Sequence, residues 1–142
     1  MDVENHIYPT RSRVEELMAD ASDTPVVMLN LLKFRAQAVY SDGRTSDLTG
    51  RQAYDLYGAA MQNVIERNGG RVVFGGDIAS LVIGEVDDVW DTCVLVEYPS
   101  AASFATIVTS PEVTEIGVHR AAGLEGQLLI RVTPSLTTRP PT

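Results

Sequence analysis

Val26-Val27-Met28-Leu29-Asn30-Leu31-Leu32-Lys33-Phe34 is the stretch on which the fold turns. It is almost unbroken in apolar, β-compatible residues, is bounded by Pro25 in front and turns polar after Arg35. A run of this length without clean alternation reads as a central strand buried on both faces. One face of such a strand can take helices; the other must meet something else, since a large apolar face is not left in water.

Working outward, residues 36–48 are a polar connection with a turn signal at Ser41-Asp42-Gly43-Arg44. Thr49 to Asn68 then carries Ala53, Leu56, Tyr57, Ala60, Met61, Val64 and Ile65 at a period near 3.6, which predicts an amphipathic helix ended by Gly69-Gly70. Arg71 to Phe74 predicts a strand, with Gly75-Gly76 as a bulge or kink before it resumes over Ile78 to Ile83. Gly84 to Asp88 is an acidic turn, and Thr92 to Tyr98 a further buried strand stopped by Pro99. Ser100 caps a second helix carrying Phe104, Ile107 and Val108, restarted at Ser110-Pro111 and running to His119. Leu128 to Val132 is the last strand.

In the other direction, Ser22-Asp23-Thr24-Pro25 separates the opening strand from a short helix over Arg11 to Ala21, capped by Thr10, with Val14, Leu17 and Met18 on one side. The expected organisation is an N-terminal arm and helix over 1–24, one domain over 25–133 and a Pro-rich tail over 134–142. Within the domain the order is β-α-β-β-α-β. Right-handed crossovers turn that order into a ferredoxin-like α+β fold: a four-stranded antiparallel sheet with both helices on one face. A second copy of the sheet is the simplest cover for the other face. The expectation is therefore a homodimeric α/β barrel with a ligand pocket.

Bulk composition sets limits. A chain of 142 residues suits one domain. A net charge of −8 argues against duplex nucleic acid and anionic membranes, which are held by Lys and Arg, and fits a cytoplasmic protein. Cys93 is the single cysteine, so neither an intrachain disulfide nor a cysteine-based metal site is available. No apolar run approaches the roughly 18 residues of a membrane span, and the acidic start Met1-Asp2-Val3-Glu4 is unlike a secretion signal. Nucleotide-binding glycine motifs, H-E-x-x-H, G-x-S-x-G and calcium-loop spacings are all missing, so no metal and no cofactor is expected.

Several strings together carry a family resemblance. They are Val27 to Phe34, Gly50-Arg51-Gln52-Ala53-Tyr54, Gly69-Gly70-Arg71-Val72, Trp90-Asp91, Val96-Glu97-Tyr98-Pro99-Ser100 and His119-Arg120-Ala121-Ala122-Gly123-Leu124. Over residues 24–133 the chain resembles a bacterial family of unknown function in the dimeric α/β-barrel superfamily. The resemblance implies the fold and the dimer. It leaves the chemistry open, because that superfamily hosts cofactor-free oxygenases, isomerases, dehydratases and haem-degrading enzymes. The haem-degrading members use an Asn, a Trp and a His, but here Trp90 and His119 stand 29 positions apart, which departs from their pattern.

Asn30 is the most informative residue, an amide in an apolar strand whose polar atoms must be satisfied. It shares a face with Met28, Leu32 and Phe34, opposite Lys33, and either holds a substrate oxygen or bonds to neighbouring backbone. His119 is the candidate proton carrier, or else a helix C-terminal residue facing the last carbonyls. Arg120 either anchors an anion or pairs with Glu97 or Glu125. Trp90 walls a pocket or packs on a partner. Tyr54 and Arg51 flank the start of the long helix as substrate contacts, and Tyr57 is read as core. The functional expectation is a small-molecule pocket protein, possessing Asn30 and His119 as catalytic residues if it is a cofactor-independent oxygenase, isomerase or lyase. The alternative is a non-catalytic homodimeric ligand-binding or structural module.

Overall fold

A computed structural model describes residues 3–136. Its elements in chain order are α1 (Arg11–Ala19), β1 (Val26–Phe34), α2 (Gly50–Arg67), β2 (Arg71–Asp77), β3 (Thr92–Tyr98), α3 (Ala101–Val108), α4 (Pro111–Gly123) and β4 (Leu124–Val132). The strands form one antiparallel sheet in the order β2-β3-β1-β4, so the ferredoxin-like plan and its extra N-terminal helix are as expected.

Local chemistry explains the helix starts. Thr49 caps α2 by accepting from the Gln52 N–H, while Gln52 reaches back to the Thr49 N–H, a reciprocal capping box. Ser100 caps α3, and Ser110 with Pro111 starts α4. The end of α2 turns through Gly69, whose φ of +82° costs a glycine little.

Period-2 alternation sorts β1 into two faces. Val26, Met28 and Leu32 are buried, and they lie directly across from Tyr98, Val96 and Thr92 of β3. On that side Met61, Val64 and Ile65 of α2, Phe104 and Ile107 of α3 and Val113 of α4 complete the core, with Leu17 of α1 packed against it. Each such side chain contributes about 1.5–3 kcal/mol when fully removed from water. The opposite side presents Val27, Leu29 and Leu31 of β1, Leu95 of β3, Phe74 of β2, and Leu128, Ile130 and Val132 of β4. Phe74 is 57% exposed and Ile130 43%, in a strip that the helices leave bare.

Four expected boundaries shift. The second strand does not resume over Ile78 to Ile83. It passes through Gly75 and Gly76 and ends at Asp77, opposite Thr92, and the register shift lies between Val72 and Phe74. Beyond Asp77 a continued hairpin would have to pair with the acidic segment before β3. Only Ile78 N–H to the Asp91 carbonyl follows, and Val82 and Ile83 stand almost fully exposed. The last strand begins at Leu124 rather than Leu128, because α4 runs to Gly123 and passes straight into the ladder, with Gly126 opposite Lys33. The first helix stops at Ala19, with Asp20 as its C-cap. The N-terminal arm is tied down through a bridge from His6 to Gln127, whose N–H donates to the His6 carbonyl at 3.1 Å. The expected tail begins with exposed residues to Leu136; 137–142 lie outside the described residues.

The connection 36–48 is more ordered than its polarity suggests. Val39 N–H donates to the Ala122 carbonyl, Ala38 N–H to the Leu48 carbonyl, and Tyr40 is buried against Ala53 and Ala122. Gly50 and Gly123 make this possible by letting α2 cross α4 at backbone contact.

Candidate functional site

Asn30 stands on the helix-covered face, and all its groups are engaged. Its Nδ2 donates to the Met28 carbonyl at 3.3 Å and to the Val94 carbonyl at 3.2 Å. Its Oδ1 accepts from Gln127 Nε2 at 2.8 Å, and Gln127 Oε1 in turn accepts from Arg120 Nη1 at 2.9 Å. The two carbonyls require donors, so the orientation of the Asn30 amide is fixed. That fixes the Gln127 amide, which in turn fixes the edge of the guanidinium it receives. Asn30 of β1, Gln127 of β4 and Arg120 of α4 thus form one directed chain.

Arg120 makes no ion pair with Glu97 or Glu125, so of its two expected roles the salt bridge is not the one the structure shows. Those carboxylates are taken by Arg71 at 3.2 Å and by Lys33 at 3.2 Å. Glu97 and Lys33 point to the bare face of the sheet, the wrong side for Arg120. Arg120 instead stacks over the ring of Tyr8 from the N-terminal arm, 5.2 Å from guanidinium carbon to ring centre.

Two phenols feel the Arg120 charge, those of Tyr54 and Tyr57. The ring of Tyr54 packs on Phe34 at 5.6 Å and on Tyr57 at 5.5 Å. Burial pushes the Tyr54 hydroxyl well above the ordinary tyrosine range, with Tyr57 adding to the rise and the Arg120 charge opposing it. Tyr57 is shifted upward by burial and pulled back by Arg120 in the same way. Burial likewise raises Tyr98 on β3. The hydroxyls of Tyr54 and Tyr57 make no protein hydrogen bond among the described residues. This is a guanidinium and two phenol groups set among aromatic rings, between sheet and helices.

An open groove of about 310 Å³ runs alongside, between Asn5 to Tyr8 of the arm and Arg35, Leu124 and Glu125. Tyr8 belongs both to the groove wall and to the Arg120 stack.

His119 belongs to a different group. Its Nδ1 lies 2.7 Å from the Tyr40 hydroxyl, with the rings edge to face, and Arg44 stacks on the outer side of Tyr40. Asn30 and His119 therefore share no hydrogen-bond partner. Arg51 is exposed, pairs with Asp77 at 2.7 Å and covers the Phe34 ring. That pairing and the Thr92 hydroxyl hold the Asp77 carboxyl below its ordinary range. Trp90 is half-buried just before β3. Its neighbour Asp91 is tied to β1, donating to the Leu32 carbonyl at 2.9 Å and accepting from Phe34 N–H at 2.8 Å.

Two members of these groups escape a reading of the sequence. Gln127 lies one residue before the expected last strand, and extending the alternation back from Leu128 would have found it. Tyr40 sits in a polar connection without periodicity. Among the described residues no group of three or more His, Cys, Asp or Glu is placed to hold a metal, and no helix is long and apolar enough to cross a membrane.

Residues 39–132, the larger part of the chain, match the profile of a domain of unknown function, DUF1330. The chain belongs to the DUF1330 family. The structure is similar to that of RPA0582, a protein of unknown function from Rhodopseudomonas palustris, with 36% identity, a TM-score of 0.83 and coverage of 94% of this chain and all of the other. Methylated RPA0582 gives 38% identity and a TM-score of 0.82, over 97% of this chain and 98% of that one. Hydroxynitrile lyase from Passiflora edulis shares the fold at 13% identity and a TM-score of 0.56, over 83% of this DUF1330 chain and all of the lyase. No curated protein sequence matches the chain. The resemblance read from the sequence therefore holds: a family of unknown function on a ferredoxin-like fold.

Proposed function

We propose that this DUF1330 protein is a homodimer that binds a small, oxygen-bearing organic molecule between its sheet and helices α2 and α4. In this reading it is a cofactor-independent enzyme of oxygenase, isomerase or lyase type. The observation that carries the binding site is the directed chain from Asn30 through Gln127 to Arg120, which fixes a guanidinium without a carboxylate partner among the described residues, its charge felt by the buried phenols of Tyr54 and Tyr57. Asn30 acts by positioning, since both its N–H groups are already given to backbone carbonyls. Arg120 touches the ligand, the tyrosine hydroxyls orient its oxygens, and Trp90 and Arg51 border the same end of the sheet. His119, with Tyr40 fixing its ring, is the candidate proton carrier.

The dimer rests on the bare apolar strip around Leu29, Leu31, Leu95 and Ile130. A two-fold partner presenting the same strip would cover it, as isologous interfaces do. The Passiflora protein is a lyase by its name, and that likeness supports the fold only.

A second reading is a homodimeric module that binds a ligand without catalysis. The separation of His119 from the Arg120 group favours it, because a general base must reach the atom it deprotonates. Native mass spectrometry of the purified protein under ligand-retaining conditions tests both. A dimer carrying a reproducible extra mass is expected. A dimer without added mass favours a structural module, and a bare monomer overturns the proposal.

A further inference from the structure

We infer that the ligand is a monoanionic organic acid whose carboxylate takes the free edge of the Arg120 guanidinium and whose apolar body lies on the rings of Tyr54 and Tyr57. This rests on the binding reading above and names the class of molecule bound.

The first argument is a missing partner. Six arginines among the described residues, Arg11, Arg44, Arg51, Arg67, Arg71 and Arg131, each hold a carboxylate. Arg120 holds none among the described residues, nor do Arg13 and Arg35, but Arg13 lies exposed on the N-terminal helix and Arg35 gives its Nε–H to the Leu124 carbonyl, whereas Arg120 is half-buried. Its single protein acceptor is the neutral Gln127 Oε1.

The second argument is geometric. A guanidinium stacks through its face and donates through its edge. Tyr8 occupies the face and Gln127 one donor of Nη1, so the remaining edge donors are left for a ligand. A planar carboxylate matches two parallel N–H groups of that edge. The third is the surrounding chemistry. The Tyr54 and Tyr57 phenols both feel the Arg120 charge, have no protein hydrogen bond among the described residues, and pack with Phe34 into a set of rings that suits an apolar body. One guanidinium balances one negative charge. A phosphate dianion would want a second cation at the same oxygens, and inorganic phosphate is therefore included among the probes.

Tyr8 is then a positioning residue: it keeps the guanidinium plane fixed from the arm and does not contact the acid. The groove between arm and β4, which shares Tyr8 with the Arg120 stack, is the route in.

The test is titration with benzoate, its neutral isostere benzamide and inorganic phosphate, followed by NMR of the backbone amides and the Tyr54 and Tyr57 rings. Benzoate is expected to bind the wild-type protein roughly tenfold more tightly than benzamide, the effect of one charge-assisted pair. Arg120→Gln should remove that advantage, so that benzoate and benzamide bind alike. Tyr8→Ala should weaken benzoate a few-fold, and Tyr8→Phe should restore it. Equal binding of benzoate and benzamide by the wild type overturns the acid assignment while the pocket stands, and needs no variant to fold. So does a benzoate preference that survives in Arg120→Gln, or phosphate displacing benzoate at lower concentration. Failure of all three probes to shift either tyrosine ring overturns the pocket itself.

Discussion

A β-carbon built on Gly50 would lie 2.7 Å from the carbonyl oxygen of Gly123 and closer still to the Arg35 carbonyl. The two glycines mark the point where α2 and α4 touch backbone to backbone, and Arg35 N–H donates to that same Gly123 carbonyl at 2.8 Å. Gly123→Ala should therefore cost about 3 kcal/mol in urea unfolding, the upper end of overpacking. Gly117→Ala, on the same helix with nothing near its missing β-carbon, should be neutral or stabilising by up to about 1 kcal/mol.

Asn30→Asp should be the most damaging single-atom change in the sheet. A carboxylate would face the Met28 and Val94 carbonyls with no N–H to give them, setting oxygen against oxygen. The expected loss is roughly 1–3 kcal/mol, smaller in acid where the carboxyl regains a proton, read from denaturation midpoints at two pH values.

Alkaline titration should separate the tyrosines. Burial raises Tyr54, Tyr57 and Tyr98 above the ordinary value of 10.0, so the fold favours their neutral forms. Their contribution to stability is full below that ordinary value and is lost as pH rises through the folded values. Tyrosinate absorbance from these three should lag behind that of the unfolded chain. Arg120→Gln should delay Tyr54 further, because the charge that pulls it down is gone.

Asp20 gives the opposite sign. Arg131, 2.6 Å away, and the Ser22 N–H hold its carboxyl below the ordinary 3.8. Stability from this pair is present above that value and fades as pH falls through the lower folded one. In Arg131→Gln the Asp20 carboxyl, followed by NMR, should titrate closer to its ordinary value.

Ile130→Glu should yield a folded monomer in sedimentation if the bare strip closes on a second copy. The side chain is on the uncovered face and 43% exposed, so the charge is tolerated in one subunit and costly between two. An unchanged sedimentation rate would remove Ile130 from the interface.

The framework was legible because its signals are periodic. The 3.6-residue stripe of α2, the Ser110-Pro111 start of α4 and the unbroken apolar β1 each depend on neighbours in sequence. The site was half legible. Asn30 and Arg120 stood out as polar residues in marked places, yet their relation runs through Gln127, a residue whose face is decided by pairing with Leu32 of β1. Tyr40 is fixed by Ala53 and Ala122, distant in sequence from it and from each other, so no local pattern announces it. The stretch Ile78 to Ile83 misled for the converse reason: it is strand-like in composition but has no strand beside it.

The bridge between His6 and Gln127 has a consequence for handling the protein. β4 is an outer strand, and its free backbone would otherwise recruit strands from other molecules, a common start of insoluble growth. The arm blocks that edge near its middle. Shortening the chain before Tyr8 should therefore raise the tendency to precipitate even where folding is intact, and a purification tag belongs at the other terminus.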